Sequence, residues 1–331
     1  TMSTVGLIEP IKYIPKLYIA YKKIIALIHT EKPDLIITID SQGLHMKLLQ
    51  KIKPLGIPTM YYISPQEWHW GTEKNGKKVC ALVDKILAIF PQEASFYNNI
   101  GGNAVYVGHP TIDEIHQTTT TKASLYKELN IPKDKKLFTI FPGSRAQELD
   151  RMVPVFLQTI RQVCKFHPDL VPVMSIASAA FNDKVKHLCK KDPIKQLLLY
   201  KGDSLTLTKH SHISLVTSGT VTLEHALCGV PTVVGYKFNP LTFWIANTFM
   251  KHVLARIKFM AMANLCMDKE VYPEFLQKNA TAEKMASAIS NFLKDKHRAE
   301  VFADLTQLQQ TMGVQEKHHK AASEVLKFIN K

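Results

Sequence analysis

Short apolar runs rich in branched side chains recur along the chain, separated by longer stretches whose apolar residues return every three or four positions. The first runs are Leu35-Ile36-Ile37-Thr38-Ile39, Thr59-Met60-Tyr61-Tyr62-Ile63, Lys85-Ile86-Leu87-Ala88-Ile89-Phe90 and Ala104-Val105-Tyr106-Val107, with a helix predicted from about Leu44 to Leu55. Runs of this length with no polar face are what strands buried on both sides look like, and in alternation with helices they predict βαβ units and a parallel sheet. The polar stretch His116-Gln117-Thr118-Thr119-Thr120-Thr121-Lys122 has no apolar period and is the predicted linker. Beyond it the alternation restarts with Lys136-Leu137-Phe138-Thr139-Ile140-Phe141, Val171-Pro172-Val173-Met174-Ser175-Ile176, Gln196-Leu197-Leu198-Leu199-Tyr200, His212-Ile213-Ser214-Leu215-Val216 and Pro231-Thr232-Val233-Val234-Gly235. This predicts a second doubly wound unit. Amphipathic helices predicted over 282–293 and 298–329 close the structure. The expected fold class is α/β, with two doubly wound, Rossmann-like domains: residues 1–117, and residues 118–331 with the closing helices.

Composition narrows the partners. The 331 residues suffice for two domains, and 46% hydrophobic with 21% charged residues is the balance of a globular chain. No apolar run reaches the roughly 18 uncharged residues of a membrane-spanning helix, so none is expected. The opening residues show no export signal, which predicts a cytoplasmic location. Five scattered cysteines without a C-x-x-C pair predict reduced thiols and neither disulfides nor zinc. Forty-two Lys plus Arg against 28 Asp plus Glu give a net charge of +14, which favours an anionic partner, either a membrane surface or a phosphorylated substrate. Nucleic acid is set aside, because the sequence holds no zinc finger, RNP-type motif or dense basic tract.

Two strand ends carry candidate chemistry. The run ending at Phe141 passes directly into Pro142-Gly143-Ser144-Arg145 and a helix containing Glu148. Glycine admits close backbone approach, the serine hydroxyl and helix-start amides donate to oxygen, and arginine offers a two-pronged donor to phosphate. An ordinary tight turn has the same appearance. The run ending at Val216 passes into Thr217-Ser218-Gly219-Thr220 and a helix with Glu224 one turn in. Ser218 and Thr220 suit a pyrophosphate or a helix cap, and Glu224 suits ribose hydroxyls or the helix dipole.

A third segment bears on membranes. Val5, Leu7, Ile8, Ile11, Ile14 and Leu17 alternate with Lys12 and Lys16 and lead to Lys22 and Lys23. Such a segment suits a bilayer interface or a helix docked on its own domain. Met250 to Met260 supplies a second basic and apolar stretch.

Ile39-Asp40, Tyr62-Ile63-Ser64-Pro65-Gln66-Glu67-Trp68-His69-Trp70, Phe96-Tyr97, Val107-Gly108-His109-Pro110, Phe141-Pro142-Gly143-Ser144-Arg145, Ser218-Gly219-Thr220 with Leu223-Glu224, Val233-Val234-Gly235-Tyr236, Pro240-Leu241-Thr242-Phe243-Trp244, and Ala263-Asn264-Leu265 with Val271-Tyr272-Pro273-Glu274 stand in one order along the chain. In that order the chain resembles lipid-A-disaccharide synthase. The resemblance implies an inverting GT-B glycosyltransferase whose two domains face one another across a cleft. It would transfer 2,3-diacylglucosamine from its UDP-linked form to 2,3-diacylglucosamine 1-phosphate, forming a β-1,6 disaccharide and releasing UDP. No metal and no cofactor are implied, and the location implied is peripheral, on the cytoplasmic face of the inner membrane. The resemblance makes Arg145 the neutraliser of the departing diphosphate and Asp40 the general base. It puts Asn264 near the donor, and it draws Gly143, Ser144, Gly202, Ser218, Gly219, Thr220, Glu224 and Tyr236 into the nucleotide and donor site. Taken alone, Asp40 at a strand end equally suits capping of the next helix.

The chain departs from the family pattern in places. Ser41-Gln42-Gly43-Leu44-His45 lacks a second aspartate, and Lys237 and Lys201 stand where arginine and an acidic residue are usual. The Gly-Glu-x-Ser-Gly-Asp loop is absent, so the N-terminal domain is expected to be incomplete, with an upstream domain or a homodimer partner as the complement. Three alternatives stay open: a peptidoglycan-precursor transferase, a UDP-N-acetylglucosamine 2-epimerase, and a non-catalytic lipid-binding fragment. The segment from Ser64 to Trp70 argues against the first two.

Overall fold

The computed structural model describes residues 14–69, 71–239, 258–314 and 320–330. The chain divides into two compact units, residues 1–110 with 317–331, and residues 111–316.

In the first unit, strands β1 (Ile36–Ile39), β2 (Thr59–Tyr62), β3 (Lys85–Ala88) and β4 (Ala104–Tyr106) lie parallel in sequence order. Ile37 pairs with Met60, Tyr61 with Ile86 and Leu87 with Val105. On one face Leu48, Leu49 and Ile52, on the helix Gln42–Ile52, and Val79 and Tyr97 bury against Tyr61 and Ile86. Each large apolar side chain buried this way contributes about 1.5–3 kcal/mol relative to exposure. On the other face Met60, Leu87 and Val107 are covered by Ala321, Val325 and Phe328 of the helix Lys320–Ile329. A half-buried ion pair between Lys85 and Glu324 (2.5 Å) fastens that helix to the start of β3.

In the second unit β5 (Lys136–Phe141), β6 (Leu170–Ser175), β7 (Leu198–Tyr200), β8 (Ile213–Val216), β9 (Thr232–Tyr236) and β10 (Glu274–Leu276) form one parallel sheet in the order β10-β9-β8-β5-β6-β7. The long helix Ala146–Phe166 carries Leu149, Met152, Val153, Phe156, Ile160 and Val163 at helical spacing, and all are buried against Phe138, Ile140, Leu215 and Val233.

The structure differs from the sequence reading in three respects. The unit boundary falls at 110/111 instead of 117/118, because the helix Pro110–Gln117 buries Ile112 and Ile115 and its His116 Nε2 bonds Val314 O, within the second unit. The polar stretch taken as a linker is anchored there too: Lys209 Nζ donates to Thr118 O, and His210 Nε2 to Thr120 O. The helix expected over 298–329 is two helices, Asp295–Thr311 and Lys320–Ile329. The first ends where Gly313 turns left-handed (φ 66°), with Val314 N bonded to Gln309 O and Gly313 N to Gln310 O, a Schellman stop. The second packs on the first unit instead of closing the second. Strand β10 was not anticipated.

Candidate functional site

The chain leaves β5 for β6 and β7 on one side, then returns to β8, β9 and β10 on the other. Between β5 and β8 the loops at the carboxyl ends therefore diverge, and a parallel sheet opens a crevice at such a switch point. A cavity of about 400 Å³ lies there. It is lined by Gly143, Ser144, Arg145 and Glu148 after β5, by Ser175, Ile176 and Ala177 at the end of β6, by Gly202 and Ser204 after β7, and by Thr217 to Val221 and Glu224 after β8.

The loop after β5 is built around Glu148. This nearly buried carboxylate accepts Ser144 N (3.0 Å), Arg145 Nη1 (2.7 Å) and Tyr236 Oη (3.3 Å). It thus ties the loop to the first turn of the 21-residue helix Ala146–Phe166 and orients Arg145, whose side chain is 35% exposed. Gly143 is left-handed (φ 121°), and a Cβ there would lie 2.6 Å from Glu148 Oε2, so the loop requires glycine. At Gly202 the constraint is steric alone, since a Cβ would meet Tyr200 Oη at 2.3 Å and the Tyr200 ring would have to shift. Burial, reinforced by Glu148, raises the Tyr236 hydroxyl and keeps it neutral as a donor.

The loop after β8 is not organised by capping. Ser218 Oγ donates to Met260 O (3.1 Å), Thr220 makes no side-chain cap bond, and Thr222 Oγ1 donates to Gly219 O (2.7 Å). Among the described residues no group hydrogen-bonds the Glu224 carboxylate. Burial raises its pKa, and Glu114 and Asp203 add to the shift. All three carboxylates line an adjoining polar pocket that shares Ser204 and Glu224 with the cavity. A partly desolvated carboxylate facing polar space is suited to accept hydroxyl donors from a ligand.

Eight expected donor-site residues, Gly143, Ser144, Arg145, Gly202, Ser218, Gly219, Thr220 and Glu224, thus line one cavity. Tyr236 does not line it and acts through Glu148. Asn264 does not line it either. Its Nδ2 donates to Tyr272 O and Glu274 Oε1, and its Oδ1 accepts Val271 N and Tyr272 N, all at 2.7–2.9 Å. Fully buried and fully bonded, Asn264 fixes the backbone around β10. Glu148, Ser175 and Ser204 were missed by the sequence reading; for Glu148, a carboxylate three positions beyond Arg145 at a helix start was the available signal.

Asp40 belongs to the first unit, exposed at the carboxyl end of β1. It is left-handed (φ 52°), and its carbonyl accepts Tyr61 Oη (2.9 Å) and His45 Nδ1 (2.6 Å). Leu17 lines a largely apolar pocket of about 450 Å³ with Tyr18, Tyr21, Leu44 and Lys47, beside Ser41 and Gln42. Ile14 opens the helix Ile14–Glu31. Val5, Leu7, Ile8 and Ile11 lie outside the described residues, as do Trp70 and 250–257. No described helix is long and apolar enough to cross a membrane, and no cluster of three His, Cys, Asp or Glu suited to a metal occurs among the described residues.

Two parallel Rossmann-like units, one opening a polar, arginine-bearing cavity at its switch point, define the α/β class of GT-B glycosyltransferases and the epimerases that share their fold. The chain belongs to the lipid-A-disaccharide synthetase family, whose profile matches residues 1–328. It is 31% identical over 332 residues to the lipid-A-disaccharide synthase of Geobacter metallireducens, covering 100% of this chain and 84% of that protein. It is 29% identical over 334 residues to that of Synechocystis, covering 99% and 84%. Among solved structures it resembles the UDP-GlcNAc 2-epimerase of Neisseria meningitidis bound to UDP-GlcNAc, with a TM-score of 0.58 and 13% identity over 94% of this chain and 81% of that one. At that identity the likeness is one of fold. Family membership makes the protein a glycosyltransferase of lipid A disaccharide synthesis.

Proposed function

We propose that the cavity binds the UDP end of UDP-2,3-diacylglucosamine and that the protein transfers this sugar to the 6-hydroxyl of 2,3-diacylglucosamine 1-phosphate. The carrying observation is the Glu148-oriented Arg145 on a glycine-bearing helix start, in one cavity with Glu224, whose carboxylate no group among the described residues hydrogen-bonds. Helix-start amides and a guanidinium suit a diphosphate, and a carboxylate suits ribose hydroxyls. The UDP-GlcNAc held by the Neisseria fold relative is a ligand of the same chemical class.

In this reading the acceptor oxygen bonds the anomeric carbon as the bond to UDP breaks. The electron pair leaves on the β-phosphate, and the configuration inverts. Asp40 takes the hydroxyl proton and Arg145 balances the charge developing on UDP. The pocket at Leu17, Tyr18, Tyr21 and Leu44 suits an acyl chain. The excess of basic residues suits a peripheral position on the anionic cytoplasmic face of the inner membrane.

The test is UDP release from the two diacylated substrates by the full chain. Turnover is expected, and none at all would sink the reading. Arg145→Ala is expected to lower kcat about 100- to 1,000-fold in a chain that still folds, with some loss of Tm because the buried Glu148 loses its cation; wild-type turnover would remove Arg145 from the mechanism. The transfer is proposed to need no metal, so activity should survive EDTA, and its loss would refute that point.

A further inference from the structure

We propose that Glu93 is a positioning residue for the transfer, fixing the loop after β2 and, through it, the turn that bears Asp40. The proposal rests on the reading of Asp40 as the base.

Glu93 is fully buried in the first turn of the helix Pro91–Asn99. Its Oε2 accepts Ile89 N (2.9 Å) and Phe90 N (3.3 Å), an ordinary capping role. Its Oε1 does something capping does not require. It accepts Ser64 Oγ at 2.5 Å, from a residue 29 positions earlier and just past the end of β2. One turn further along the same helix, Tyr97 Oη donates to Pro65 O at 2.6 Å. Two side chains four residues apart lie on one helix face, so they grip consecutive loop residues together.

The gripped loop is strained. Ile63, immediately before it, is left-handed at φ 56°, a conformation a branched side chain disfavours and keeps only where its surroundings dictate it. Downstream, buried Glu67 accepts Gln42 Nε2 (2.9 Å), and Gln42 opens the helix that follows Asp40 and Ser41, both left-handed. Tyr61 Oη, from β2, holds the Asp40 carbonyl. Hydrogen bonds thus tie the strained turn after β2 to the strained turn after β1, and Glu93 anchors the far end. Trp68 packs on Phe90, whose amide Glu93 holds, with ring centroids 5.4 Å apart. Without the carboxylate, the Ser64 hydroxyl and two amides lose their acceptor, Ile63 is free to relax, and the Asp40 turn loosens with it.

The experiment measures kcat, acceptor KM and the dissociation constant of UDP for full-length E93A, S64A, E93A/S64A, E93Q and D40N. E93A and S64A should each lower kcat roughly tenfold or more while UDP affinity, set in the second unit, stays within about twofold. E93Q should restore most of the rate, because its amide oxygen still accepts both backbone N–H groups and its NH2 donates to Ser64. The double variant should be no slower than E93A. Wild-type kcat in E93A, additive losses in the double variant, or UDP affinity falling in step with kcat would each overturn the proposal. If E93A does not fold, S64A decides: a lowered kcat at an unchanged Tm supports the clamp, and an unchanged kcat refutes it. A slow D40N beside an unaffected E93A and S64A sinks the clamp alone, whereas wild-type turnover in D40N sinks the base reading.

Discussion

A carboxylate bonded to an arginine ordinarily cancels its charge, yet Glu148 serves Arg145 by orienting it. A guanidinium has five N–H donors in a rigid fork, and the bond from Nη1 engages one of them. This role was hard to read in the sequence because it needs Ser144, Arg145 and Tyr236 on one side chain, and Tyr236 lies 88 positions away. The Gly143–Arg145 and Ser218–Glu224 segments were legible, because each directly follows a buried strand and carries its chemistry contiguously. Asn264 shows the opposite: a family position reveals nothing of where its side chain points. Here the side chain points into backbone. Asn264→Ala would leave the buried Tyr272 amide and carbonyl without their side-chain partner and open a void, and is expected to cost about 3 kcal/mol of stability. Thermal unfolding checks this; an unchanged Tm with lost activity would return Asn264 to the catalytic set.

Among the elements, nine of the ten described strands were readable because parallel strands are written as unbroken apolar runs, even in the edge strand β1, where Ile37 and Ile39 are exposed. The exception, β10, has three residues and begins with Glu274, whose oxygens accept Met260 N, Ala261 N and Asn264 Nδ2. Its place is set by those bonds and by pairing with β9, and neither leaves an apolar trace. The helix Pro91–Asn99 yields a prediction of its own. Burial pushes the Glu93 carboxyl up to about 7, outweighing the donors from Ser64, Ile89 and Phe90. A folded value above the unfolded one stabilises fully below the unfolded pKa, and the contribution is lost as pH rises through 7. The loss is on the order of 3 kcal/mol in all, most of it between the ordinary value of 4.5 and pH 7, with roughly 1 kcal/mol left to lose above pH 6.5. Burial holds His69, His109, His212 and His225 down at about 4, so each adds stability as pH rises through the unfolded histidine value, a gain that wild type and Glu93→Gln share and that cancels between them. The Tm of the wild type should therefore fall from pH 6.5 to 8 relative to Glu93→Gln, and parallel curves would refute this.

At the scale of the molecule, the sequence showed two parallel units but assigned the chain between them differently. Amphipathicity identifies a helix without naming the sheet it covers, so the partners of Val325 and Phe328 were not legible. Deleting residues 320–331 uncovers Met60, Leu87 and Val107 and should cost the first unit about 3 kcal/mol. The expected result is an early unfolding transition and dye binding to exposed apolar surface, with UDP affinity retained. A single unshifted transition would show the helix to be dispensable. Lys85 and Glu324 meet across 239 positions of chain. On a ribosome that interval takes on the order of 10 to 50 seconds to make. The second unit can therefore mature while the first still waits, one face uncovered, for a helix not yet translated. Such a product depends on chaperones during synthesis more than its modest size suggests.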